Sequence, residues 1–92
     1  MDRLRKFHAY ITMAHFAKIQ NGTVQQIIVV NNVDCAGGDY PESEAAGQAF
    51  IASIGLSGEW RQTSYNANFR AKYAGIGDTY DAVNDVFVAP TV

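Results

Sequence analysis

Few side chains in this 92-residue sequence have the type and spacing that a chemical site requires. His8 and His15 lie in a region that we expect to be extended, and they lack the i, i+4 spacing of a helical zinc site. We interpret both as strand-surface or hydrogen-bonded side chains. Cys35 is the single cysteine, and neither a helix N-terminus nor a nearby cation follows to lower its thiol pKa. A buried or loop thiol is the favoured interpretation over a nucleophile.

A cluster of acidic and amide side chains near the C-terminus raises the question of calcium binding. Its members are Asp78, Asp81, Asn84 and Asp85. The spacing lacks the alternating ligands and terminal Glu of an EF-hand loop, and Asp and Asn commonly cap hairpin turns. Glycines 37, 38, 75 and 77 match no phosphate-binding pattern. We therefore predict turns here, with no metal, no cofactor and no catalytic residue.

Aromatic and cationic side chains are interleaved in the segment 59–90, which contains the only Trp. The residues that we predict as a candidate interaction surface are Trp60, Arg61, Tyr65, Arg70, Tyr73 and Tyr80. Similar interleaving occurs on platforms that bind single-stranded nucleic acid. The net charge of -2 and the pI near 5.5 argue against that role. Nucleic-acid binding is therefore the weakest of three functional hypotheses.

Length and composition predict one globular domain. A chain with 48% hydrophobic and 17% charged residues falls in the globular class, and 92 residues leave no room for two cores. No apolar run approaches the roughly 18 residues of a membrane span. The segment 1–12 is interrupted by polar residues and lacks a cleavage site, so we do not interpret it as a signal peptide. We predict an extension at 1–12, which is either a non-native start or a lengthened first strand, and a single domain at 13–92.

The first predicted element is a hairpin around Asn21 and Gly22, because a type I′ turn needs positive φ at both central positions. Counting outward from this turn gives the following pairs: Gln20 with Thr23, Ile19 with Val24, Ala17 with Gln26 and Phe16 with Ile27. This register puts Phe16 and Ile27 on one face and Ile19 and Val24 on the other. The run at 27–30 is apolar on both faces, which is typical of a strand inside a sheet or covered on both sides.

A helix is predicted from about Pro41 or Ser43 to Ile54, followed by a glycine stop at Gly55 with Leu56 placed as in a Schellman motif. The predicted sheet-facing stripe consists of Ala46, Phe50 and Ile54, with Ala49 and Ile51 beside it. Gly47 is expected to allow a close approach to a strand.

Short strands are predicted to follow the helix. They are Trp60 to Tyr65, Phe69 to Tyr73, Thr79 to Asp81 and Asp85 to Val88, and the last two form a hairpin that pairs Tyr80 with Phe87. The fold class is therefore α+β, a small antiparallel sheet or partly open barrel of about five or six strands with one helix, in the order ββαβββ(β).

Three stretches of the chain carry a resemblance to a known family. They are MAHFAKIQNGTVQQIIVVNN from Met13, then WRQTSYN, then RAKYAGIGDTYDAVNDVFVAP. Together they resemble small proteins of tailed bacteriophages, of the marine and cyanobacterial type, to which no defined activity is tied. The matching positions are Trp60, Gln62 to Asn66, Arg70, Tyr73 to Gly77, Thr79 to Asp81, Asp85 and Phe87. Such relatives often carry a Gly-rich insertion before Arg70 and a Trp-containing tail, and this chain has neither.

The resemblance implies a non-enzymatic, phage-like accessory or virion-associated protein that acts by protein–protein contact in the host cytoplasm or the virion. Its expected partners are further copies of itself, as a homo-oligomer built through exposed β-edges, and other virion proteins, with no membrane. The alternative hypothesis is a small ligand-binding module or enzyme with an aromatic pocket near Trp60, Tyr65 and Tyr80. Convergence of Arg61 or Arg70 with an acidic group in a concave site would favour that alternative.

Overall fold

The computed structural model describes residues 13–35 and 40–90, without the side chains of residues 32 and 33. Its elements are β1 (Met13–Gln20), β2 (Thr23–Asn31), a 3-10 turn (Asn32–Cys35), α1 (Glu42–Ser53), β3 (Glu59–Thr63), β4 (Thr79–Asp81) and β5 (Val86–Val88). The strands form one antiparallel sheet in the spatial order β3-β1-β2-β4-β5. The predicted α+β class, with a partly open sheet and one helix, is confirmed. The predicted extension at 1–12 lies outside the described residues.

The β1–β2 hairpin turns where the sequence predicts. Asn21 and Gly22 have φ values of 55° and 78°. Asparagine and glycine adopt such left-handed backbone conformations at a lower cost in conformational energy than other residues. The first two predicted pairs are confirmed, since Gln20 lies opposite Thr23 and Ile19 opposite Val24.

Beyond these two pairs the predicted register is wrong by one residue. The observed partners are Lys18 with Gln26, Ala17 with Ile27 and Phe16 with Ile28. A β-bulge between Lys18 and Ile19 on one side, and Val24 and Gln26 on the other, accommodates Gln25 as an extra residue of β2. Ile27 therefore shares a face with Val24, and Ile28 replaces it beside Phe16.

Hydrophobic clusters lie on both faces of the sheet. On the helix side the buried members are Ala14, Phe16, Val30, Cys35, Ile51 and Trp60. On the opposite side they are Ala17, Ile19, Val24, Ala74, Tyr80 and Phe87. Strand β1 contributes to both clusters because it lies inside the sheet, between β3 and β2.

Helix α1 has the predicted length but presents a different face to the sheet. Its buried residues are Ser43, Gly47 and Ile51, and Phe50 packs partly buried against the helix-side cluster. The predicted stripe is therefore confirmed at Phe50 and Ile51 but wrong at Ala49 and Ile54, which are exposed. The Phe16 ring fixes this orientation, because a Cβ built on Gly47 would lie 2.2 Å from its Cζ atom. The predicted close approach at Gly47 is thus confirmed. Because of this contact, the face of α1 that contains Gly47 packs against β1.

The helix ends as predicted. Gly55 has a φ of 91°, its N–H donates to the Ala52 carbonyl, and the Leu56 N–H donates to the Ile51 carbonyl. These two bonds define a Schellman motif. Within the described residues, no helix is both long enough and apolar enough to cross a membrane.

The C-terminal third departs from prediction at one segment. The predicted strand Phe69 to Tyr73 is wrong, because Arg70 and Ala71 have positive φ values of 58° and 76°, which no strand residue adopts. The last hairpin is confirmed, with Tyr80 opposite Phe87.

Candidate functional site

Arg70 reaches from an irregular loop into the interior. Its guanidinium donates to both carboxylate oxygens of Glu44 on α1, to the Gln62 carbonyl at 2.9 Å, and to Asp85 at 2.7 Å. The left-handed backbone at Arg70 and Ala71 orients this side chain inward. We call the set of Glu44, Gln62, Arg70, Tyr80 and Asp85 the Arg70 cluster.

The Arg70 cluster joins the two outermost strands of the sheet. On β3, the Gln62 N–H donates to Glu44 at 2.7 Å while the Gln62 carbonyl accepts from the Arg70 side chain. On β5, the Phe87 N–H donates to the Arg70 backbone carbonyl at 3.1 Å. Arg70 therefore satisfies groups on both sheet edges, one with its side chain and the other with its main chain.

A second side chain from α1 covers the same edge of β3. The Gln48 amide donates to the Trp60 carbonyl at 2.5 Å. Side chains of Glu44, Gln48 and Arg70 thus occupy edge groups that could otherwise pair with a further strand.

Each charged side chain of the Arg70 cluster contacts a group of opposite charge. Burial would lower the pKa of Arg70, but hydrogen bonds to Glu44 and Asp85 raise it above its ordinary value. Burial and the hydrogen bond donated to Asp85 raise the pKa of Tyr80 to about 12. Burial opposes ionisation of Asp85, yet its bonds from Tyr80 and Arg70 lower its pKa overall. The cluster therefore favours a charged Arg70, a charged Asp85 and a neutral Tyr80.

The face of the sheet opposite α1 carries a second group of aromatic side chains. The ring centroid of His15 lies 5.7 Å from that of Tyr65 and 5.6 Å from that of Tyr73, and the two tyrosines are 5.3 Å apart. Burial lowers the pKa of His15. The neutral imidazole is therefore favoured between two tyrosine rings.

Apolar side chains extend this group along the strands. Val29 pairs with His15 and so lies on the same face, as does Met13 two residues before His15. Tyr65 is 67% exposed and Val29 50% exposed. We call Met13, His15, Val29, Tyr65 and Tyr73 the aromatic surface; none of its side chains carries a formal charge when His15 is neutral.

A groove of about 340 Å³ lies between the end of α1 and β3. Its lining residues are Gln48, Ala52, Leu56, Gly58, Glu59, Trp60 and Arg61. Arg61 and Glu59 form an ion pair of 3.2 Å at its rim, and the Trp60 indole donates to the Ser57 carbonyl at 3.2 Å. We call this depression the β3 groove.

The six residues of the predicted interaction surface divide among these three regions. Arg70 and Tyr80 are buried in the Arg70 cluster, and the guanidinium of Arg61 lies 5.4 Å from the Tyr80 ring. Trp60 is buried on the helix side and borders the β3 groove. Tyr65 and Tyr73 meet on the aromatic surface. The structure therefore does not bring the six together on one face.

Sequence reasoning did not find His15, Glu44 and Asp85 as members of these groups. Glu44 lies in the first turn of α1, 26 residues from Arg70 in the sequence. Asp85 was assigned to a turn, and it lies 15 residues from Arg70. No local pattern reports such distant pairs. The alternation of His15 with Phe16 in a strand was the one available signal that this histidine faces away from the helix.

The remaining polar candidates have structural partners. Asp81 accepts from the N–H groups of Val83 and Asn84, which confirms turn chemistry there. Asp78 bonds Lys72 at 2.5 Å and the Gly75 N–H at 2.8 Å. Cys35 is a buried free thiol. Its burial, and to a smaller extent the negative charge of Asp34, raise its pKa. Among the described residues, no group of three or more His, Cys, Asp or Glu side chains could hold a metal ion.

Comparisons with known protein families, with curated proteins and with solved structures found no match to this chain.

Proposed function

We propose that this chain is a non-enzymatic, phage-like accessory or virion-associated domain that acts by protein–protein contact through the aromatic surface. The observation that supports this proposal is a set of tyrosine and aliphatic side chains gathered on the sheet face opposite α1, with Met13, Val29 and Tyr65 exposed. Tyr65 and Val29 are the most exposed of its members. Tyrosine contributes a large contact area at a low cost in side-chain entropy and is enriched in protein interfaces.

The polar groups of the molecule support contact rather than catalysis. Glu44 and Asp85 are both ion-paired with Arg70, and Tyr80 has a raised pKa, so this cluster offers neither a free base nor an activated nucleophile. Its arrangement serves to hold strands and helix in place. A scaffold whose strands and helix are joined by hydrogen bonds beneath an exposed patch suits a docking role.

The experiment uses a phage that encodes this chain. Purified virions are analysed by mass spectrometry, together with virions carrying Tyr65→Ser and Tyr73→Ser. We expect the native chain in the particle, or in a defined complex in infected cells, and a severalfold lower amount of the double variant. Val83→Ser is the matched control, since Val83 is 93% exposed and lies outside the aromatic surface.

Two results would overturn the proposal. One is absence of the chain from both virions and complexes. The other is incorporation of the folded double variant at the level of the Val83→Ser control, which would remove the aromatic surface from any role in contact.

A ligand-binding module is the second candidate function, and the β3 groove favours it. Arg61 and Glu59 converge beside Trp60 in this groove, whose volume lies in the range of small-ligand sites. Trp60 is the single tryptophan, so its fluorescence reports on the groove. Saturable fluorescence changes with a panel of small anions and amphipathic acids, lost in Arg61→Met, would support this candidate over protein contact.

Nucleic-acid binding receives the least support. The cations that the sequence places among aromatic residues are paired with carboxylates: Arg61 with Glu59, Arg70 with Glu44, and Lys72 with Asp78. Phosphate contacts would have to compete with these ion pairs.

A further inference from the structure

We propose that the outer edge of β2, at Ile27 to Val29, is a strand-pairing site for the same edge of a second copy of this chain. The two strands would run antiparallel around a two-fold axis. This inference rests on the proposed function as an interaction domain, and it names the partner and the mode of contact.

Strand β4 covers only the beginning of β2. Thr79 lies opposite Thr23. The last hydrogen bonds of this pairing are made by Val24, whose N–H donates to the Asp78 carbonyl at 2.8 Å and whose carbonyl accepts from the Gly77 N–H at 2.9 Å. The bulge at Gln25 follows directly and bends β2. In the described part of the chain, no strand pairs with β2 on this side beyond Val24.

The reason that β4 leaves β2 is the route of the last hairpin. Tyr80 and Phe87 pack with Ala17 on the face opposite the helix, and Phe87 then bonds the Arg70 carbonyl. The β4–β5 hairpin therefore runs toward β3 instead of continuing alongside β2. Closing the gap between β3 and β5 leaves the second half of β2 uncovered.

The direction of the main-chain groups follows from the register. Gln62 bonds Glu44 and Arg70, so its N–H and C=O point away from β1. Phe16 of β1 lies opposite Gln62. Because the main-chain groups of opposite residues in an antiparallel pair both point toward each other or both point away, the N–H and C=O of Phe16 point toward β2. There they face Ile28, the partner of Phe16. The neighbours of Ile28 in β2, Ile27 and Val29, therefore direct their N–H and C=O groups outward.

The chemistry of this edge fits a second copy of itself. Strand β2 carries no charged side chain and no proline over Thr23–Asn31, so it lacks the residues that usually block edge pairing. Placing Ile28 opposite Ile28 of the partner subunit sets Ile27 opposite Val29 of the partner subunit. In this register each outward N–H meets an outward carbonyl, and β-branched side chains face one another.

The same geometry connects this edge to the aromatic surface. A two-fold axis between antiparallel edge strands is perpendicular to the sheet, so it keeps equivalent faces on the same side. Val29 belongs to both the edge and the aromatic surface. A dimer formed in this way would present two aromatic surfaces side by side, with both helices behind them.

The test is light scattering after size-exclusion chromatography on the full chain and on Val29→Pro. Proline at position 29 removes an outward N–H and leaves the ladder bonds between β1 and β2 in place. Val29→Thr is the matched control because it keeps the N–H and the β-branched shape. We expect a mass of twice 10.0 kDa for the native chain and for Val29→Thr, and a mass near 10.0 kDa for Val29→Pro.

Several outcomes would overturn the inference. They are a native chain that is monomeric at every concentration, and a dimer that persists in folded Val29→Pro. Val29→Lys replaces the proline variant if circular dichroism shows that the latter is unfolded, because an edge lysine also opposes strand pairing. A dimer that forms only after residues 1–12 are removed would likewise overturn the inference for the full chain.

Failure of this inference and failure of the proposed function are distinguishable. A monomeric chain that still enters virions, and whose incorporation is lost when Tyr65 and Tyr73 are substituted, would overturn the β2 pairing alone. A dimer that is absent from every particle and complex would overturn the proposed function alone.

Discussion

The Arg70 cluster and the aromatic surface use similar residue types for different ends. Both contain tyrosine rings close to a basic side chain, Tyr80 beside Arg70 in the first and Tyr65 beside His15 in the second. In the cluster, every partner comes from a different element and the charges are paired. On the aromatic surface, the rings of His15, Tyr65 and Tyr73 contact one another, and Tyr65 is exposed to solvent. The cluster therefore holds the fold together, while the surface is available for contact.

The difference teaches how a domain of this size manages its sheet edges. The outer edge of β3 is met by side chains of Glu44, Gln48 and Arg70, and that of β5 by the main-chain carbonyl of Arg70. These bonds contribute to stability and oppose further pairing. Among the described residues, the strand edge without a partner is instead the second half of β2, next to the aromatic surface. Exposed apolar and strand-pairing groups are thus gathered in one region.

Arg70→Met tests the comparison with the largest expected effect. It leaves the carboxylate of Glu44 without its buried partner and the Gln62 carbonyl without a donor, so we expect a loss of about 3–5 kcal/mol in the free energy of unfolding. Urea unfolding followed by Trp60 fluorescence measures this loss. Arg61→Met is the control, because its exposed ion pair with Glu59 is expected to contribute at most about 1 kcal/mol. Equal effects of the two substitutions would contradict a special role for Arg70.

Tyr80→Phe tests the electrostatics of the cluster. Loss of the bond to Asp85 is expected to cost about 1 kcal/mol near neutral pH. The pKa of Tyr80 is raised from 10.0 to about 12, so its contribution is fully present below pH 10 and is lost as pH rises through 12. Unfolding free energies measured across this range should fall more steeply for the native chain than for Tyr80→Phe.

Tyr40→Phe is the control for the alkaline measurement, because burial also raises the pKa of Tyr40. It should retain most of the alkaline loss that the native chain shows. Parallel pH profiles for the native chain and Tyr80→Phe would show that Tyr80 does not carry the dependence.

Tyr65→Ser should have the smallest effect on stability. The side chain is 67% exposed, so we expect a change within about 0.5 kcal/mol in the free energy of unfolding. Incorporation into particles should fall instead, and self-association through the β2 edge should be unchanged. A loss of stability comparable to that of Arg70→Met would assign the aromatic surface to the core and remove the contrast.

Local chemistry made part of the fold predictable. Asn21 and Gly22 fixed the first turn, Gly55 fixed the end of the helix, and Tyr80 with Phe87 defined the last hairpin. Each signal depends on residues a few positions apart. The bulge at Gln25 carries no such signal, and it moved the register by one residue.

The functional regions were less predictable because they depend on distant contacts. Phe69 to Tyr73 alternates like a strand, but Arg70 makes its bonds 26, 15 and 8 residues away and takes a left-handed backbone to do so. The helix face was misplaced for a similar reason, since Ser43 is buried through a bond to Gln62 at 2.7 Å and Gly47 through the ring of Phe16. Neither residue ranks as apolar in a periodicity analysis.

Amide hydrogen exchange at the sheet edges tests the central contrast most directly. We predict protection of the Gln62 and Phe87 amides at every protein concentration, because Glu44 and Arg70 accept their hydrogen bonds within one chain. The Val29 amide should exchange rapidly in dilute protein and become protected as the concentration rises. Rapid exchange at Gln62 and Phe87, or a Val29 amide that is protected equally at all concentrations, would contradict the account.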